Sequence, residues 1–397
     1  MEIVKDLLIL TLLIILLRKG FHLGHVLFAT GLFFGLLHGL NPAQLLILVY
    51  QSLISPANLI IYAALILISM LEIVMRQTGS QGRLVSGMKT LAKDHRFAMA
   101  ALPAIIGLLP SPGGARFSAP LVEEAARELT VSGEDNAAIN YWYRHIWEYF
   151  LPLYPSILLG AQIMAIPMQA FVLLMAPFTI VTLVIGLLLF LPIGKPAHVA
   201  APPPRIWRYV LEGLAPIFAI MILVLVFNLN ILLALLVAII FMLIFYRVEI
   251  TRIPNMCWEA LTPKLLYMMF AAMYLRDAMV ASGAVDQLSV FIRSAGLNPM
   301  LIAIILPFSI TFLTGMTVPG ISITMPLMVA MGGESNLLSL GSLTLVSNMV
   351  GSMLSPIHLC LIMSVEHFKC SMGGTYRKII LPTLLLLGFG IIYSLIL

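Results

Sequence analysis

Three polar residues inside one long apolar run are spaced for chemistry. Asn140, Arg144 and Glu148 recur every four residues and so share one face of a helix, with His145 three residues before Glu148. A guanidinium at membrane depth can hold an anion, while a carboxylate beside an imidazole can carry a cation or a proton. At a spacing of 204 residues, Thr344, Asn348 and Ser352 repeat the stripe with neutral groups, and His358 follows Pro356. A pocket built from both stripes is therefore asymmetric in charge.

A second chemical stretch is Leu109–Pro120, which places three prolines, Gly113, Gly114 and Arg116 inside apolar sequence. Ser111 followed by Pro112 reads as a helix cap and first helical position, because proline has no N–H to leave unpaired there. Free N–H groups at such a helix start attract an anion, and Arg116 adds a full charge one turn on. Its counterpart further along is Thr314–Gly320, with Thr317 and Gly320 at the break. Ser118, Ser322 and Ser355 add hydroxyl groups, so the expected substrate-binding set is Ser111, Gly113, Gly114, Arg116, Ser118, Asn140, Arg144, Thr317, Gly320, Ser322, Asn348, Ser352 and Ser355. Glu148, His145 and His358 are the expected ion- or proton-coupling groups. Arg276 and Asp277 read as a structural pair.

These residues need a membrane scaffold. The chain is 61% apolar and only 10% charged, with strongly positive mean hydropathy, which excludes a soluble domain and leaves an all-α polytopic membrane protein. Its net charge of +5 marks topology rather than nucleic-acid binding. Cys257, Cys360 and Cys370 show no CxxC spacing, so no disulfide framework and no metal site is expected. Apolar segments fall at about 5–18, 21–39 and 57–76, then a charged amphipathic stretch at 79–96 lies along the surface. Two pieces too short to cross, together 97–129, form a re-entrant hairpin, followed by spans at 138–165 and 167–191.

A proline-rich linker, 192–205, separates this from a second series in the same order: 206–228, 230–247, 262–281, a hairpin over 299–331, then 337–366 and 376–396. Gly79 matches Gly283, Leu84 matches Leu288, Pro103 matches Pro307 and Pro152 matches Pro356 at the 204 spacing. The first unit is 1–191 and the second 206–397. Five spans are an odd number, so the second unit is inverted relative to the first. Charge agrees independently. Seventeen Lys and Arg fall on the side of the 79–96 helix and the linker, against Lys5 and Arg293 opposite. That side is cytoplasmic, with both termini outside a cell (inner) membrane. Inverted repeats with broken helices form secondary transporters, whose sites lie between the repeats at the midplane.

The Leu109–Pro120 stretch and Asn140–Pro155 resemble an uncharacterised prokaryotic membrane family of the ion transporter superfamily, over essentially the whole chain. That superfamily includes gluconate permeases and divalent-anion/Na⁺ symporters. The resemblance implies a scaffold from the first three spans of each half, a mobile unit from hairpins and following spans, and an elevator motion in a homodimer. Its dicarboxylate carriers have Ser-Asn-Thr tips; here the tips read Ser-Pro-Gly-Gly and Thr-Val-Pro-Gly, so no substrate carries over.

The expected function is transport of a small anionic solute, an organic acid, coupled to H⁺ or Na⁺ across the lipid bilayer, with no catalysis, no nucleic-acid partner and no cofactor beyond Na⁺. A cation/proton antiporter with Glu148 exchanging the ion is the alternative. An intramembrane metalloenzyme using His145, Glu148 and His358 is a remote third, since no HExxH is present.

Overall fold

The computed structural model describes residues 5, 9, 11–12, 15–16, 19, 21–91, 95–108, 114–127, 129, 131–190, 206–333 and 335–397. The expected first span lies largely outside the described residues. The 192–205 linker and the 109–113 tip lie entirely outside them.

Among the described residues every regular element is helical. The first half holds α1 (Leu23–Leu37), α2 (Pro42–Ile54), α3 (Pro56–Gln77), α4 (Ser80–Leu91), α5 (His95–Ile106), α6 (Ala115–Ala126), α7 (Gly133–Arg144), α8 (Pro155–Ile163) and α9 (Met168–Leu189). The second holds α10 (Ile206–Leu225), α11 (Ile231–Phe245), α12 (Ile253–Ala260), α13 (Pro263–Ala281), α14 (Ala284–Ser294), α15 (Pro299–Thr314), α16 (Thr317–Gly332), α17 (Leu337–Met353), α18 (Leu359–His367) and α19 (Met372–Ile396).

Helix starts follow local chemistry. Asn41 and Gln44 form a capping box ahead of Pro42, Ser55 caps α3 before Pro56, and Asn298 caps α15 before Pro299. In the other direction, Gly315 ends α15 at φ +68°, a left-handed conformation that suits glycine.

By length and composition α3, α9, α10 and α19 can each cross a bilayer, and α13 with α14, bent by 64° at their junction, makes a fifth. The chain is an all-helical membrane protein. The expected spans at 21–39 and 230–247 are helices of 15 residues each. The expected spans at 138–165 and 337–366 are each broken in two, where Pro152 and Pro155, or Pro356, withdraw a backbone donor. A thirteen-residue helix, α2, fills a stretch expected to be a connection, although its capping box is plain in the sequence.

Helix packing comes in reciprocal pairs. α1 packs on α13 and α3 on α11; α2 on α13 and α3 on α12; α5 on α7 and α15 on α17. Likewise α6 packs on α7 and α16 on α17; α8 on α16 and α6 on α18; α7 on α19 and α9 on α17. On the cytoplasmic-type surface expected of α4, Leu84 is buried with Ile105 and Val210, so its apolar face is covered by protein.

α2, α3 and α13 are tied by a polar network. Arg276 donates to the Asp277 carboxylate at 2.8 and 2.6 Å, Ser52 donates to it at 2.6 Å, and Arg276 also reaches Asn58 Oδ1 at 3.0 Å. From α8, Gln162 reaches the same Asn58 oxygen at 3.4 Å. The expected structural pairing of Arg276 with Asp277 is what this network shows. Both side chains are at most about a fifth exposed (14% and 21%), so Asp277→Asn leaves a guanidinium without its counter-charge. That change is expected to cost about 3 kcal/mol, the low end for a broken buried pair, and to lower the thermal midpoint of the purified protein. An unchanged midpoint would contradict the structural role.

Candidate functional site: a polar cluster at converging helix breaks

The breaks of the two interrupted spans come together with the ends of α5 and α15 and the starts of α6 and α16. α7 ends at Arg144, and the chain turns through 145–154 before Pro155 starts α8. That turn is held by aromatic donors from the expected motif. Trp147 Nε1 donates to Ala104 O at 2.7 Å, and Tyr154 Oη donates to Gly107 O at 2.5 Å. Both acceptors belong to the end of α5, where carbonyls have no helical partner. A Cβ on Gly107 would press on the Arg144 carbonyl, so the close approach requires glycine.

Arg144 is buried and donates from Nη1 to Tyr154 Oη at 3.1 Å. Its guanidinium lies against Gly114, the residue at the start of α6: a Cβ there would stand 2.5 Å from both Nε and Nη2. A full positive charge thus faces the positive end of a helix. Glu148 Oε1 is 4.0 Å from Arg144 Nη1 and 3.8 Å from His145 Nε2, too far for a hydrogen bond to either. Asn140, one turn back, donates to Ala115 O at 3.2 Å and to Ser364 Oγ at 2.9 Å.

The second half repeats the arrangement without charge. Asn348, at the register position of Arg144, donates to Thr317 O at 3.0 Å across the start of α16. A Cβ on Gly320 would collide with Asn348 Oδ1 and with Thr311. Among the described residues, Asn348 Oδ1, Thr344 Oγ1, Ser347 Oγ and Asn140 Oδ1 are buried without a hydrogen-bond partner. Buried polar atoms left unpaired are a cost that a bound ligand can remove.

The breaks then meet across the halves. His145 Nε2 lies 3.2 Å from His358 Nε2. His145 Nδ1 is 2.6 Å from Tyr141 O and His358 Nδ1 is 2.9 Å from Ser352 Oγ. Tyr141 Oη donates to Met353 O at 3.0 Å, and Ser355 Oγ donates to Phe312 O at 2.6 Å.

Of the expected site residues, Gly114, Asn140, Arg144, His145, Glu148, Thr317, Gly320, Asn348, Ser352, Ser355 and His358 come together around these breaks. Ser118 and Ser322 are buried, but their hydroxyls bond carbonyls of their own helices. Arg116 is exposed on α6. Ser111 and Gly113 lie outside the described residues. Sequence reasoning passed over Cys360: its Sγ, His145 and His358 offer ligand atoms all within 4.8 Å of one another, and the absence of a CxxC pair hid it. It also passed over Tyr154 as the anchor of Arg144, though the residue lies in the expected motif.

A separate cavity of about 750 Å³ lies between α2, α13 and α14 on one wall and α8 and α16 on the other. Arg276 and Asp277 line it with Asp286, Gln51 and Ser55.

The fold resembles a solved structure, the Alcanivorax borkumensis YdaH transporter, at a TM-score of 0.54 and 15% identity, over 83% of this chain and 84% of that one. No curated protein matches the chain. A family model described as "Protein of unknown function (DUF401)" matches residues 4–397. The chain belongs to the DUF401 family.

Proposed function

We propose that the protein is a secondary active transporter of a small anionic solute of the organic-acid class, coupled to H⁺ or Na⁺. The observation that carries this reading is the buried Arg144 guanidinium set against the start of α6. There Arg144 Nη1 donates to Tyr154 Oη and lies 4.0 Å from Glu148 Oε1, so a buried cation and a carboxylate share one site beside a helix start. A guanidinium beside the start of a helix is a setting that suits an anionic group. Charge balance then asks for a cation at Glu148 when the solute takes the guanidinium.

The two halves act as inverted repeats, 1–191 and 206–397, each with a re-entrant hairpin. Support comes from the reciprocal helix pairs and from the matched contacts Gly114–Arg144 and Gly320–Asn348. In this reading the first three spans of each half, with α1–α3 and α10–α13 among the described residues, form the scaffold, while α5–α9 and α15–α19 move as a unit in an elevator-type step. The fold shared with a transporter agrees with this architecture. Homodimer assembly and an inner-membrane location with both termini outside complete the proposal.

Topology is tested by single cysteines introduced within 79–88 or the 195–205 linker. Each is expected to react with an impermeant maleimide only from the cytoplasmic side. Reaction from outside would overturn the inverted arrangement.

A further inference from the structure

At the cluster the two halves also meet through a pair of imidazoles. His145 is the C-cap of α7, and His358 is the N-cap of α18 with Cys360 two residues on. Their Nε2 atoms are 3.2 Å apart, and Cys360 Sγ joins them so that the three ligand atoms lie within 4.8 Å of one another. His145 and Cys360 are buried and His358 nearly so.

We propose that His145, His358 and Cys360 form a binding site for one soft or borderline transition-metal ion, of the Zn²⁺ or Cu⁺ class. Three features carry it. The first is spacing. Two nitrogens about 2.0–2.1 Å from one tetrahedral ion stand roughly 3.3 Å apart, close to the separation seen here. The second is orientation. A carbonyl can only accept, so His145 Nδ1 carries its proton toward Tyr141 O, which leaves the Nε2 lone pair facing His358. His358 Nδ1 lies 2.9 Å from Ser352 Oγ, which can accept its proton when Nε2 turns its lone pair to a metal. Ligating histidines are characteristically held through the other ring nitrogen in this way. The third is donor type. Two imidazoles and a thiolate select Zn²⁺ or Cu⁺ over Na⁺, Mg²⁺ or Ca²⁺, which take oxygen.

The site goes beyond transport and does not depend on it. A bound ion staples the break of α7 to the start of α18, joining the two halves within the unit proposed to move. It also gives the two histidines a task other than proton carriage.

The full-length protein, purified without chelators, is expected to hold about one equivalent of zinc or copper per chain by mass spectrometry. After stripping, Co²⁺ is expected to produce a sulfur-to-cobalt charge-transfer band in the near ultraviolet, and Zn²⁺ to raise the thermal midpoint. Cys360→Ser abolishes the band, and His358→Gln weakens metal binding at least tenfold. Because wild-type metal content and the cobalt spectrum need no variant, misfolding of a mutant cannot mask the result. Absence of both stoichiometric metal and the cobalt band in wild type would overturn the site, as would a midpoint rise of equal size in Cys360→Ser. Neither result bears on anion binding by Arg144, which is measured separately.

Discussion

Gly320→Ala is expected to lower transport by about a hundredfold while the protein still folds, and Gly114→Ala to do the same from the other half. At 320 the effect does not come from weakening a helix, since alanine favours the interior of α16 by about 1 kcal/mol over glycine. The loss comes from space. A Cβ at 320 takes the place of Asn348 Oδ1, so the amide must turn and release Thr317 O. A Cβ at 114 stands 2.5 Å from Arg144 Nε and Nη2 and pushes the guanidinium off the helix start. The change at 114 disturbs one side-chain end and that at 320 disturbs two, Asn348 and Thr311, a cost of about 1–3 kcal/mol in folding, but each lands on the groups proposed to hold the solute. Uptake into liposomes and thermal unfolding of the same preparations separate the two effects. Full transport by either variant would remove that tip from the site.

Arg144→Gln is expected to lower anion affinity at least about thirtyfold, the cost of removing one partner of a buried charged contact. Glu148→Gln keeps anion binding, because it removes a competing carboxylate 4.0 Å from the guanidinium and leaves the donor in place. Calorimetry on the two variants reads the difference directly. The reverse pattern, with anion binding intact in Arg144→Gln and ion exchange lost in Glu148→Gln, would favour a cation antiporter instead.

Much of this arrangement was legible in the sequence because membrane helices announce their breaks. Prolines at 152 and 155 mark the break that precedes α8 and Pro356 the one between α17 and α18, and the four-residue spacing of Asn140 and Arg144 places both on one face of α7. The segments expected at 97–129 and 299–331 each contain two helices, α5 with α6 and α15 with α16. Three things were hidden. α2 hid because a run of thirteen residues is shorter than a membrane crossing, and only its Asn41–Gln44 box betrays it. Arg116 shares a stretch with the tip, yet helix geometry turns it outward, which composition does not reveal. Cys360 hid because its partners, His145 and His358, come from different breaks, and no local motif joins residues separated by more than 200 positions.

The central claim is that Arg144 carries an anion whose movement is driven by a cation gradient. It is tested most directly with the full-length protein in sealed liposomes, by uptake of labelled mono-, di- and tricarboxylates with and without an imposed H⁺ or Na⁺ gradient. The expected result is accumulation of at least one carboxylate above its equilibrium level only when the gradient is present, and no accumulation with Arg144→Gln. Cation-for-proton exchange that needs no carboxylate and survives Arg144→Gln would contradict it.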